Sequence, residues 1–157
     1  MKPDMPDIIK MPLMSLLFCF IIISSSALSA AEDEIIGEVK RIKGTAAITH
    51  DGSTSGAVIG SKIYRRAVLT TSKKSSLSFT LQDGTVFSMG SDSVLSVESF
   101  VFVPIDKKLS LLAKVSKGSA SYTSGSIGRL APDKVKIETP DMSIGIRGTY
   151  FLVRVSK

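Results

Sequence analysis

The chain has 157 residues, 20 Lys and Arg against 14 Asp and Glu, 43% hydrophobic content, one Cys, one His and no Trp. That length and apolar content support a single domain with a buried core, and they argue against a disordered tail or a disulfide scaffold. With His50 as the only imidazole, His-clustered metal sites are excluded by counting, and Cys/His catalysis is excluded as well once Cys19, the only Cys, leaves with the N-terminal segment.

Lys10 precedes an apolar stretch from Met11 to Ile23, which gives way to small residues from Ser24 to Ala31. A charged start, a short apolar middle and a small-residue end describe a secretory signal, and the middle is too short to span a bilayer of about 30 Å as a helix. The expected division is a leader over 1–31, cleaved after Ala31, and a β domain over 32–157 exported to the periplasm or beyond. Retention of the leader as a membrane anchor is the alternative. Cys19 follows Leu17 and Phe18 rather than the small residues of a lipid-anchor site, so a mature chain would carry no Cys, which suits an oxidising compartment.

From Glu32 onward, short β-branched and aromatic runs alternate with Gly, Asp-Gly and Ser clusters. Strands are expected over Ile35 to Ile42 and Thr45 to Thr49, followed by a mobile loop from Asp51 to Ser61 and a strand over Val68 to Thr71. Leu77, Phe79 and Leu81 alternate with hydroxyl residues; Gln82-Asp83-Gly84 then supplies a tight turn before Thr85 to Met89, the clearest hairpin in the chain. Further strands are expected at Val94 to Val103, Leu109 to Val115, Ser119 to Thr123, Val135 to Thr139, Ser143 to Ile146 and Thr149 to Val155. The expected fold is all-β, an antiparallel sandwich or β-roll of short strands with at most one helical turn, near 126–130. Lys40, Lys43, Gly44, Thr45 and Ala46 match Lys114, Lys117, Gly118, Ser119 and Ala120 in spacing, an echo read as two similar strand-turn-strand corners.

Catalysis needs a positioned nucleophile and a base. His50 sits beside Asp51-Gly52 and reads as a solvated turn residue, and no G-x-S-x-G elbow, S-x-x-K pair, Walker loop or dinucleotide fingerprint accompanies the many serines. The chain is therefore expected to be no enzyme and to need no cofactor or metal. Lys62, Arg65, Arg66, Lys73 and Lys74 form a loose basic cluster, a candidate contact for anionic lipid or cell-wall polymer; nucleic acid is not an expected partner, and a solvated surface is the plainer account.

The most unusual segment runs from Thr139-Pro140 to Gly145-Ile146-Arg147-Gly148-Thr149-Tyr150-Phe151. Two glycines bracketing an Arg among β-forming residues suit a bulge or tight corner where a Cβ would clash. Arg147 is expected to pair with Glu138 or Asp141 or to cap strand carbonyls. Together with Asp83-Gly84-Thr85-Val86-Phe87, Gly90 before Ser91-Asp92-Ser93, Lys117-Gly118 and Tyr122 to Ile127, this segment resembles the FecR domain family over most of Ile36 to Val153. The resemblance implies a β-built extracytoplasmic domain, such as the periplasmic portion of iron-responsive transmembrane regulators. It does not imply the whole regulator: fewer than a dozen residues precede the apolar segment, too few to fold on a sigma factor, so anti-sigma activity is not expected.

The resulting expectation is a non-catalytic periplasmic FecR-like domain that binds an envelope protein in sensing, signalling or assembly, with surface attachment through anionic polymer or lipid as the alternative. Asp83, Gly84, Thr85, Gly145, Arg147, Gly148 and Thr149 are its motif residues, with a mainly structural role. Oligomeric state is left open.

Overall fold

The computed structural model describes residues 34–155, and the expected leader over 1–31 lies outside them. The described chain is mostly antiparallel β. Its strands are β1 (Ile35–Lys43), β2 (Ala46–His50), β3 (Ser53–Gly56), β4 (Lys62–Tyr64), β5 (Val68–Thr71), β6 (Ser76–Leu81), β7 (Val86–Met89), β8 (Val94–Val103), β9 (Lys108–Thr123), β10 (Val135–Glu138), β11 (Ser143–Gly145) and β12 (Tyr150–Val155). The single α-helical turn, α1 (Ser126–Leu130), falls where it was expected. A 3-10 turn over Pro132–Lys134 follows, with Pro132 in its first turn, where the missing N–H costs nothing.

One curled sheet wraps a single apolar core. Half A runs β4-β1-β6-β7-β9-β12, and half B runs β3-β2-β5-β8-β9-β10-β11. Strand β9 belongs to both, pairing with β8 over Lys108–Lys117 and with β7 over Ala120–Thr123. The sequence suggested two strands here; β9 is one strand, bent at Gly118. The pair β10·β9 is parallel, an exception in an otherwise antiparallel sheet. The segment expected as a mobile loop supplies β3, which pairs with β2 from Ala47↔Gly56 to His50↔Ser53.

The echoed glycines mark the places where the chain passes from one half to the other. β1 in half A continues through Gly44 into β2 in half B, and β9 passes through Gly118 in the opposite sense. Both glycines have φ +77°, and a Cβ on either would collide with a serine hydroxyl, Ser75 for Gly44 and Ser93 for Gly118. Each serine closes its corner in the same way. Thr45 N–H donates to Ser75 Oγ and Ser119 N–H to Ser93 Oγ, both at 2.9 Å. Ser72 N–H donates to Thr45 C=O (3.0 Å), and Gly90 N–H to Ser119 C=O (2.9 Å). The residue before each serine is left-handed, Lys74 at φ 55° and Asp92 at φ 56°.

The correspondence extends to the strands. Exchanging β1 and β2 with the two halves of β9, and β5 and β6 with β7 and β8, turns β1·β6 into β9·β8, β2·β5 into β9·β7, and β5·β8 into β7·β6. An approximate two-fold therefore relates the corners, and four chain crossings gather at one end of the core.

Packing follows from alternation. Leu77, Phe79, Leu81, Phe87, Met89, Ala120 and Tyr122 turn inward, while Ser78, Thr80, Ser88, Ser121 and Thr123 turn outward. Phe79 stacks on Phe87, Phe87 meets Tyr122 edge-on, and Tyr122 tilts against Phe151, with centroids 5.1–5.5 Å apart. Each such pair adds about 0.5–1.5 kcal/mol beyond its burial.

Gly118→Ala combines a left-handed φ with a Cβ only 2.7 Å from the Asp92 carbonyl oxygen. A loss of about 2–5 kcal/mol in urea unfolding is expected. Gly52→Ala, at φ +75° with nothing within 4 Å of the added Cβ, isolates the conformational part and should lose about 1–2 kcal/mol.

Candidate functional site

The Asp83-Gly84-Thr85 motif forms the β6–β7 turn, and Gly84 takes a left-handed φ of 83°. Asp83 is only 3% exposed. Its Oδ1 accepts Thr85 N–H (2.9 Å), and its Oδ2 accepts both the Thr85 hydroxyl (2.7 Å) and Ile127 N–H (3.1 Å). Its backbone C=O accepts Ser126 N–H (2.8 Å), and Thr85 Oγ1 accepts Gly125 N–H (3.2 Å). The turn thus receives the first donors of α1, which would otherwise lack partners. Asp83 clamps the hairpin to the segment leaving β9.

Beneath this clamp lies Tyr122, 1% exposed. Its hydroxyl makes no well-formed hydrogen bond, although Ser124, Thr85 and Asp83 surround it. Burial, ahead of the nearby Asp83 carboxylate, pushes the phenol above its ordinary value.

The G-I-R-G-T loop joins β11 to β12. Ile146 is buried and anchors the loop, whereas Arg147 is exposed and forms no ion pair among the described residues. The expected pairing with Glu138 or Asp141 does not form. Nor do the glycines answer to crowding, because a Cβ at Gly145 or Gly148 meets nothing within 4 Å. Gly148 instead has a φ of +155°, which L side chains rarely adopt. The Thr149 carbonyl accepts Ser124 N–H (2.8 Å) and ties the loop to the end of β9. Pro132, Asp133, Gly145, Ile146 and Arg147 line a shallow depression of about 430 Å³. An exposed guanidinium beside bare glycine backbone, Pro132 and Ile146 can receive a carboxylate from outside.

The basic residues that cluster in sequence separate in space. Lys62 bonds Glu38 at 2.8 Å, and Arg65 lies 3.6 Å from Glu34. Lys62 first, with Lys40 beside it, holds the Glu38 carboxyl down at about 2. Arg66 has φ 65° and donates its backbone N–H to Val97 C=O, while Lys73 and Lys74 occupy the turn at the other end of β5. There they join Lys43 and Lys117, and Lys117 bonds Asp92 at 3.0 Å.

His50 ends β2 instead of sitting on a solvated turn. Its ring stacks on Tyr64 at 4.8 Å and 12°, with the Asp51 carboxylate 3.5 Å away. Both rings line a groove of about 440 Å³ with Ser53, Ser55, Ser61 and Lys62. Sequence spacing gave no sign of this groove, because β4 pairs with β1 and not with its neighbour β3.

Asp83→Ala strands the buried N–H groups of Thr85 and Ile127, at about 1–3 kcal/mol each. Urea unfolding should show a loss of about 2–5 kcal/mol, with Asp83→Asn intermediate because it keeps one acceptor. In the loop, Gly148→Ala should lose about 1–3 kcal/mol through its backbone alone, while Gly145→Ala should stay within about 0.5 kcal/mol of the parent; equal effects in urea unfolding would mean that φ does not select Gly148.

A family model described as FecR protein matches residues 67–157, from the residue before β5 to the end of the chain. No curated protein and no solved structure matches the chain. The matched segment holds the Asp83 clamp, the Gly118 corner and the Arg147 loop, and it spans more than half of the sequence. The chain belongs to the FecR protein family.

Proposed function

We propose that the protein is a non-catalytic, extracytoplasmic FecR domain that binds another protein in envelope sensing or assembly. Membership of the family is consistent with a part in envelope sensing or signalling. The observation that carries the binding reading is the Arg147 loop. Its anchor residue is buried, its guanidinium is exposed, and it borders a depression lined by Pro132, Asp133, Gly145 and Ile146. Interfaces draw their energy from a few such Arg and apolar anchors. The fitting partner presents an Asp or Glu beside an apolar side chain.

The alternative, attachment to anionic polymer or lipid, rests on the corner lysines Lys43, Lys73 and Lys74. The original cluster does not serve it, since Lys62 and Arg65 face Glu38 and Glu34. A hydrolytic reading would place His50 with Ser53, Ser55 or Ser61 in their shared groove. Ester turnover lost in His50→Ala would replace the binding reading.

A photo-crosslinking side chain at Asp133, on the rim of the depression, tests the proposal in intact cells. A discrete adduct is expected, reduced at least five-fold by Arg147→Glu with the melting temperature unchanged. No adduct, or one indifferent to Arg147, would refute the proposed site.

A further inference from the structure

The curled sheet has four edges among the described residues: β3 and β11 in half B, β4 and β12 in half A. Three carry the devices that keep free strands from pairing with other chains. β3 is the short polar run Ser-Thr-Ser-Gly, β4 has three residues beginning with Lys62, and β11 has three ending in Gly145. β12 is longer, and its one such device is the charge of Arg154 near its end. It is Tyr-Phe-Leu-Val-Arg-Val, with no Pro, Gly or Lys, and it pairs only with β9.

The outer face of half A makes the contrast sharper. One row across its strands reads Lys62, Glu38, Thr80, Val86, Thr123, Tyr150, and the next reads Arg41, Ser78, Ser88, Ser121, Leu152. Charge occupies one side, hydroxyls and Val86 the middle, and the two most exposed large apolar groups of this half stand on the free edge: Tyr150 is 64% and Leu152 61% exposed. On this edge, apolar surface and backbone donors and acceptors that no neighbouring strand takes up are exposed together.

We propose that β12 pairs with β12 of a second copy of this chain, antiparallel about a two-fold axis at Leu152. Matched faces restrict the register to pairings centred on a residue rather than between two, and the pairing of Tyr150 with Arg154 selects Leu152 among them. Tyr150, Leu152 and Arg154 point outward, and Phe151 and Val153 point inward. A one-residue slip would put inward side chains opposite outward ones, so only a register with matched faces continues the sheet. Centring on Leu152 places Leu152 opposite its copy and Phe151 opposite Val153 on the inner face. On the outer face it places Tyr150 opposite Arg154, a cross-strand cation–π pair. Read backwards, the outward sequence Tyr-Leu-Arg is complementary to itself, and the two Arg154 cations are kept apart. The interface is isologous, as a closed dimer requires. A six-residue edge makes a small interface, so the dimer should form reversibly and dissociate on dilution.

This contact is independent of the Arg147 site. Its test uses the full chain in a Cys19→Ser background under mild oxidation. Leu152→Cys is expected to form a disulfide dimer on its own, because directly opposed Cα atoms lie about 4.5–5.5 Å apart, within the Cα range a disulfide spans. Tyr150→Cys alone should not, since the two copies of position 150 would lie about 13 Å apart along the strands at about 3.3 Å per residue. Tyr150→Cys mixed with Arg154→Cys should crosslink. Sedimentation velocity should show a concentration-dependent dimer that Leu152→Lys abolishes without changing the melting temperature. A monomer at every concentration, a dimer indifferent to Leu152→Lys, or crosslinking of Tyr150→Cys alone would overturn the proposal. So would a Leu152→Cys adduct with a different protein in place of a second copy.

Discussion

A chain that turns from one half of a curled sheet to the other must change direction sharply without leaving buried backbone groups unpaired. Here that requirement is met twice by the same device. A left-handed glycine passes close to a serine hydroxyl, and the hydroxyl takes the N–H of the next residue. The serine sits on the turn joining two other crossing strands, so each bond holds two crossings at once. Ser75 and Ser93 are accordingly buried although their neighbours Lys74 and Asp92 are exposed. With the crossings gathered at one end, the other end of the core is closed separately, by Asp83 and α1.

The approximate two-fold also shows where the halves diverge. In the first copy the outer neighbours are β4 and β3, both short, with β3 wholly polar. In the second copy they are β10, which runs parallel to β9, and β12. The distinctive chemistry lies on this divergent side: the Arg147 loop, its depression and the apolar edge. The family match begins at Ala67 and takes in that whole side, while β1 to β4 complete the sheets from outside it.

The two motifs that carry the family resemblance have different physical roles. Asp83-Gly84-Thr85 faces inward, and every polar atom it presents to α1 is used. The G-I-R-G-T loop is divided within itself, with Ile146 buried and Arg147 offered to solvent. Both read alike in sequence, as turns with glycine. The difference comes from what packs over them: α1 covers the first, and nothing among the described residues covers the second.

Local chemistry was enough to place most strands, the Asp-Gly hairpin and the single helical turn, because alternation, glycine and side-chain shape act over a few residues. It also exposed the echo around Gly44 and Gly118, since identical corners need identical backbone freedom. Other features depended on partners distant in the chain. β9 is continuous because β7 and β8 hold its two ends, and β3 is a strand because β2 lies beside it. Lys62 is neutralised by Glu38 across β1, and His50 is packed by Tyr64 from a strand that joins the other half. Arg147 stays unpaired although two carboxylates lie within nine residues of it in sequence. The residues determined which segments extend and which turn. Which charges meet, which edge stays open and which arginine faces outward was decided by the tertiary structure, because those outcomes depend on distances that the order of residues does not contain.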